Sequence, residues 1–167
     1  MTLSLYQASV PVFQQSLAAL KGVLAKAEAQ AQATKLEPQV LLQARLFPNM
    51  FPFTRQVQIA ADFAKGAPAR LAGVEVPSYP DSETTFGELA ERIDRTLGFL
   101  KTLTPAQIDG QEGRTIELKV GGQMRAFQGQ PYLLHFALPN FFFHATTAYA
   151  ILRHNGIEIG KRDFIGA

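Results

Sequence analysis

The chain contains no cysteine. Disulfides, thiolate catalysis and cysteine-based zinc sites are therefore excluded. Histidine is scarce too: there are three, and none precedes His135. Charged residues make up only 18%, and the net charge is +2. Lys and Arg are scattered rather than banked, which argues against a nucleic-acid groove. Carboxylates are thin where chemistry would need them. The second half of the second long helix and the whole of the last one offer only Asp62, so paired-carboxylate acid–base chemistry has little material. There is no Gly-x-Ser-x-Gly elbow, no His-Glu-x-x-His and no Asp-rich calcium loop. GIEIGKR has three residues between its glycines and no Ser or Thr after the lysine, so it is not a phosphate loop. MTLSLYQASVPVF lacks the basic and then apolar pattern of a signal peptide, which makes the cytoplasm the expected location.

What the chain does have is concentrated in PYLLHFALPNFFFHATTAYAILRHNG, residues 131–156, which holds all three histidines and the densest aromatic cluster. Pro131 suits a first helical turn, and Asn155-Gly156 makes a stop. Arg153 and His154 complement the dipole of a last turn. Pro139 should interrupt this helix and kink it toward Asn140. The uncharged run from Ala126 to Leu152 exceeds the roughly 20 residues a membrane span needs. It nevertheless carries two histidines, an asparagine, two prolines and two threonines, without basic loop bias, so a buried helix rather than a membrane span is expected. Asn140, His144 and Thr147 are spaced i, i+4, i+7 and share a face. A lone histidine on such a face is either a hydrogen-bonded core residue or a ligand or acid–base group in a pocket.

Taken in order, residues 6–32 read as a long helix, with Val12, Leu17, Leu20, Val23, Leu24 and Ala27 recurring every three or four residues. Pro38 starts a short helix through Leu46, and Pro48 and Pro52 punctuate a turn. Phe53–Leu71 is a second long helix with the seam Phe53, Gln56, Ala60, Phe63 and Ala67. Arg55, Gln58, Asp62 and Lys65 form a solvated stripe on another face, where Asp62 pairs with Gln58 or Lys65. A proline-containing connector follows Gly73. Thr85 and Glu88 stand at capping-box spacing ahead of a third helix marked by Phe86, Leu89, Ile93, Leu97 and Leu100, ending near Leu103. Residues 114–128 alternate about Gly121-Gly122, a β-hairpin signal. The tail after Gly156 is too glycine-broken for another helix and should wrap the surface, anchored by Phe164 and Ile165. The sum is an all-α four-helix bundle with a small hairpin before the last helix, in a single domain spanning residues 1–167. Low charge together with thirteen phenylalanines suggests apolar surface beyond a monomer's core, hence a homodimer.

FALPNFFFHATTAYAILRHNGIEIGKRDFIG resembles an uncharacterised bacterial domain family grouped with the DinB/YfiT-like bundles. The resemblance extends to NMFPFTRQVQIAADFAKGAPARLAGVEVP and TTFGELAERIDRT, and so spans most of the chain. It implies an up-down-down-up bundle. Members of the wider superfamily look like metal-dependent enzymes, including thiol-cofactor-dependent transferases and isomerases. They hold a divalent metal with one histidine from the second helix and an HxxxH pair from the last. A Leu-Arg pair and a glycine follow that pair, and Leu152-Arg153 and Gly156 stand at matching offsets from His144. His144 thus resembles the second member of the pair. Asn140 occupies the first position, and Gln56 is the second-helix position most similar to the remaining ligand. Neutral amides are poor ligands for zinc or nickel. The resemblance therefore implies a pocket lined by Gln56, Asn140, His144, Thr147 and Tyr149 that binds an unknown small molecule, with His144 as its acid–base group and no tightly held metal. A weakly bound divalent ion would use His144 with Asn140, Gln56 or Asp62. The alternatives are a divalent-metal-dependent transferase or hydrolase, and a non-enzymatic dimerisation or scaffold module.

Overall fold

A computed structural model describes residues 4–166. Four long helices carry the fold: α1 (Val10–Thr34), α3 (Phe53–Ala72), α4 (Phe86–Leu100) and α7 (Leu138–His154). Between them lie the short helices α2 (Pro38–Leu42) and α5 (Pro105–Ile108), the strands β1 (Thr115–Val120) and β2 (Gln123–Gln128), and one turn, α6 (Gly129–Pro131). A single turn, α8 (Lys161–Ile165), follows the last long helix. Among the described residues no helix is long and apolar enough to cross a membrane.

Aromatic contacts and hydrogen bonds at the helix ends fix the directions. Phe53 and Phe86, which open α3 and α4, lie 5.9 Å apart, so those two helices run parallel. Phe13 near the start of α1 meets Phe141 near the start of α7 at 5.0 Å. At the other end Gln30 donates to the Gly156 carbonyl beyond α7, so α1 and α7 are also parallel. Tyr6, just before α1, donates its N–H to Asp109 beyond α4 and α5, and Arg70 at the end of α3 donates to Tyr132 ahead of α7. The two parallel pairs are thus antiparallel to each other, giving an up-down-down-up bundle around one apolar core.

Several boundaries differ from the expected ones, each for a local reason. α1 starts at Val10 and not near Tyr6, because Pro11 is confined to the first turn. α2 stops at Leu42 instead of Leu46. Its end is claimed by α3: Thr54 Oγ1 donates to the Leu42 carbonyl and the Phe53 N–H to that of Ala44. α4 ends at Leu100, with the capping box of Thr85 and Glu88 formed at its start. The hairpin turns on Gly121 and Gly122, both left-handed at φ 57° and 86°, the conformation a two-residue connection requires. The tail does form a helical turn, α8, whose Asp163 accepts the Gly160 N–H at 2.8 Å. Its anchors are the buried Ile157 and Ile159, with Phe164 against Tyr149 and Ile165 exposed.

The last helix is not simply kinked. Tyr132–Ala137 forms a π-helical turn in which the Leu138 N–H reaches the Leu133 carbonyl, five residues back. Pro139 lacks an N–H and its ring crowds the carbonyl four residues earlier. A widened turn relieves that clash. Asn140 Nδ2 then donates to the Phe136 carbonyl at 2.7 Å.

The stripe expected in solvent on α3 is in fact half interior, since Gln58 and Lys65 are buried. Opposite them sits Arg92 of α4, fully buried, with Glu83 and Asp62 at 3.0 and 2.8 Å and the Pro80 carbonyl at 3.0 Å. Asp62 also takes Lys65 at 2.7 Å, while Gln58 donates to Glu83 at 2.9 Å. Tyr79 lies beneath Lys65, Arg92 and Arg95. This network ties the long α3–α4 connector to both helices. Removing one partner of a buried ion pair strands the others. Arg92→Ala should therefore cost about 3–5 kcal/mol in urea unfolding, against about 1 kcal/mol for Thr85→Ala, which loses only a cap.

Candidate functional site

The candidate site lies where α3 meets the last helix. Gln56 is in the first turns of α3, and its Nε2 donates to the Phe51 carbonyl at 3.1 Å. That bond turns Oε1 toward α7, where it lies 2.7 Å from His144 Nδ1. An amide oxygen can only accept, so Nδ1 carries the hydrogen and donates to Gln56. His144 Nε2 is left with the lone pair, and it has no hydrogen-bond partner among the described residues. Phe63 stacks on the ring at 6.2 Å, and Phe143 meets it edge-on at 5.2 Å. Burial, together with the nearby Arg55 guanidinium, holds the imidazole pKa below its ordinary value. The ring is therefore neutral at neutral pH.

A cavity of about 350 Å³ adjoins Phe63, lined by Asp62, Phe63, Arg70, Phe136, Asn140 and the hairpin residues Leu118–Gly121, with neither His144 nor Gln56 on its wall. Phe63 is shared: one aromatic ring flanks both the imidazole and the cavity. Phe127 of β2 packs on Phe136 at 5.0 Å and holds the hairpin over this end of the bundle.

The sequence-selected residues thus divide. Gln56 and His144 are in direct contact, and Asn140 lines the adjoining cavity. Thr147 is buried and returns its hydroxyl to the Phe143 carbonyl, while Tyr149 packs on Phe164. Asp62 lies on the cavity wall, with its charge matched by Lys65 and Arg92. His135 and His154 are exposed. Arg70 and Arg92 escaped the sequence reading. Arg92 had left a signal: it and Thr96 fall three and seven residues after Leu89, on the apolar stripe of α4, and both are buried.

The pattern of the family described as a domain of unknown function, DUF1993, fits residues 5–165. The chain belongs to the DUF1993 family. A crystal structure of a DinB family member protein from Shewanella denitrificans is 42% identical to this DUF1993 chain, with a TM-score of 0.89, over 98% of this chain and 92% of that one. The bundle is thus DinB-like. No curated protein matches it.

His144 gives this DUF1993 chain a measurable pH signature. Its folded pKa lies below the ordinary 6.5. Above that value neither the folded nor the unfolded ring is charged. Below it the unfolded ring takes a proton first, so stability falls with pH until the folded ring titrates too. Urea midpoints measured downward from pH 6.5 should decline more steeply for the wild type than for His144→Gln.

Proposed function

We propose that this DUF1993 protein binds a small organic molecule in the cavity beneath the hairpin, with His144 Nε2 as the hydrogen-bond or proton acceptor at its edge. One observation carries the reading. The Phe51 carbonyl orients Gln56, and Gln56 fixes the protonated nitrogen of His144. A neutral imidazole held in one tautomer with its other nitrogen free is how a protein presents a base. The cavity volume lies in the range of small-molecule sites, and its walls combine two phenylalanines with a few polar groups.

The divalent metal implied by the DinB/YfiT-like resemblance does not fit this donor set. Two of its three positions, Gln56 and His144, hydrogen-bond each other and so do not address a common ion. The third, Asn140, spends its Nδ2 on the Phe136 carbonyl. What remains is one imidazole nitrogen and an amide oxygen, weak donors for zinc or nickel. Among the described residues no three His, Cys, Asp or Glu side chains gather into a further group. Protein purified without chelator should contain zinc, nickel, iron and manganese only well below one equivalent. Benzamide, a neutral cavity-sized probe, should shift the NMR signals of Phe63 and His144. Stoichiometric metal, or signals left in place by both benzamide and its anionic counterpart benzoate, would end this reading.

A second role, self-association, is favoured by an apolar patch. Phe47, Phe51 and Phe143 are 61%, 55% and 57% exposed, joined by Leu46 and Phe142. Leu46, Phe142 and Phe143 also edge an apolar groove with Thr146, Thr147 and Ala150. At 150–250 Å² per aromatic side chain these residues amount to roughly 400–500 Å², the size at which a patch marks an interface and over half of what one partner of a stable dimer buries. A second copy, presenting the same exposed aromatic residues, is the occupant this composition suits. Sedimentation should give a dimer that Phe47→Ser with Phe143→Ser converts to monomer. A wild-type monomer rules the dimer out.

A further inference from the structure

Three cations lie on α3, and they are not equivalent. Arg55 pairs with Asp81 and Lys65 with Asp62. Arg70 has no carboxylate partner among the described residues. Its guanidinium is folded back over Gly66, so closely that a Cβ there would come within 2.5 Å of Nη1. Nη1 donates to the hydroxyl of the buried Tyr132 at 3.2 Å, which fixes the plane of the fork. Nη2 and Nε donate to no protein group among the described residues. Arg70 also lines the cavity, next to Phe63 and Phe136, whose rings meet edge-on at 5.9 Å. The cavity's carboxylate, Asp62, is already matched by Lys65 at 2.7 Å and Arg92 at 2.8 Å. Arg70 therefore contributes a positive charge that no carboxylate of the wall answers.

We propose that the cavity takes a small organic anion, a carboxylate on a flat apolar or aromatic body. The carboxylate sits on the free Nη2–Nε edge of Arg70, and the body lies against Phe63 and Phe136. This rests on the reading that the cavity is a small-molecule site. A guanidinium fork matches the two oxygens of a carboxylate in one plane, and the hydroxyl of Tyr132 keeps that fork from turning to solvent. A volume of about 350 Å³ suits a ligand of one ring, near the lower limit for such sites. The half-buried guanidinium is partly dehydrated already, so an incoming carboxylate displaces little water from it.

The test is a titration of the full chain with benzoate, benzamide and inorganic phosphate, followed through the Arg70 Nε–H and the ring signals of Phe63 and Phe136. Benzoate is expected to shift all three and to bind at least about tenfold more tightly than benzamide, a difference of about 1.4 kcal/mol. Phosphate, lacking the apolar body, is expected to bind far more weakly. In Arg70→Gln, benzoate should lose most of its advantage over benzamide, Lys119 being the other cation on the wall. If that variant does not fold, the wild-type comparison of benzoate with benzamide decides. Equal binding of the two to wild type overturns the anion while leaving the small-molecule site intact. Binding of neither removes both, and phosphate that competes on equal terms with benzoate removes the apolar body from the proposal.

Discussion

The Phe51 carbonyl, the Gln56 amide and the His144 imidazole form a chain of hydrogen bonds that joins the loop before α3, α3 itself and the last helix. Each bond leaves the next group one orientation. The carbonyl decides which end of the amide faces α7, and the amide decides which ring nitrogen carries hydrogen. Polar groups in a dry interface must be satisfied, so α3 and α7 cannot slide or rotate past one another without breaking a bond at this point. The cavity beside the ring inherits its shape from that constraint, because Phe63 is placed by the same pair of helices.

The same bond sets this donor set apart from a cluster of three imidazoles on chemical grounds. Three imidazoles at such positions would leave three lone pairs converging on a point. Here a donor and an acceptor face each other instead, and each consumes the other's capacity. In the role proposed for it, this position offers a neutral base beside an aromatic ring in place of a Lewis-acid centre. The Arg70 guanidinium, without a carboxylate partner among the described residues, stands on the cavity wall with Phe63.

Much of the bundle was legible because it depends on periodicity and punctuation. Leu17, Leu20, Leu24 and Ala27 recur as an apolar face, Thr85 and Glu88 spell a cap, and Gly121-Gly122 spells a hairpin turn. The pairing of Gln56 with His144 was also within reach, since a lone polar residue in an apolar seam needs a partner. The buried charges were not. Arg55, Gln58, Asp62 and Lys65 line up as a polar stripe on α3, so Gln58 and Lys65 passed for solvent-facing residues although both are interior. Their burial depends on Arg92 and on the connector around Tyr79 and Glu83, distant in sequence and brought together only by the parallel run of α3 and α4. The π-helical turn was equally hidden: a proline signals an interruption but not which irregularity the backbone will adopt.

That widened turn leads into the last helix. An α-helix advances each residue by about 100° around its axis, and a π turn spends one additional residue with almost no gain in length. Tyr132, which packs on Phe127 of the hairpin at 5.9 Å, opens that turn, and His144 lies beyond it. Loss of a single residue between 132 and 137 would draw the widened turn back to an ordinary one, leaving the bearing of the two ends largely unchanged but restoring the clash of Pro139 with the carbonyl four residues before it. The spare residue in that turn is thus held in place by the proline that follows it.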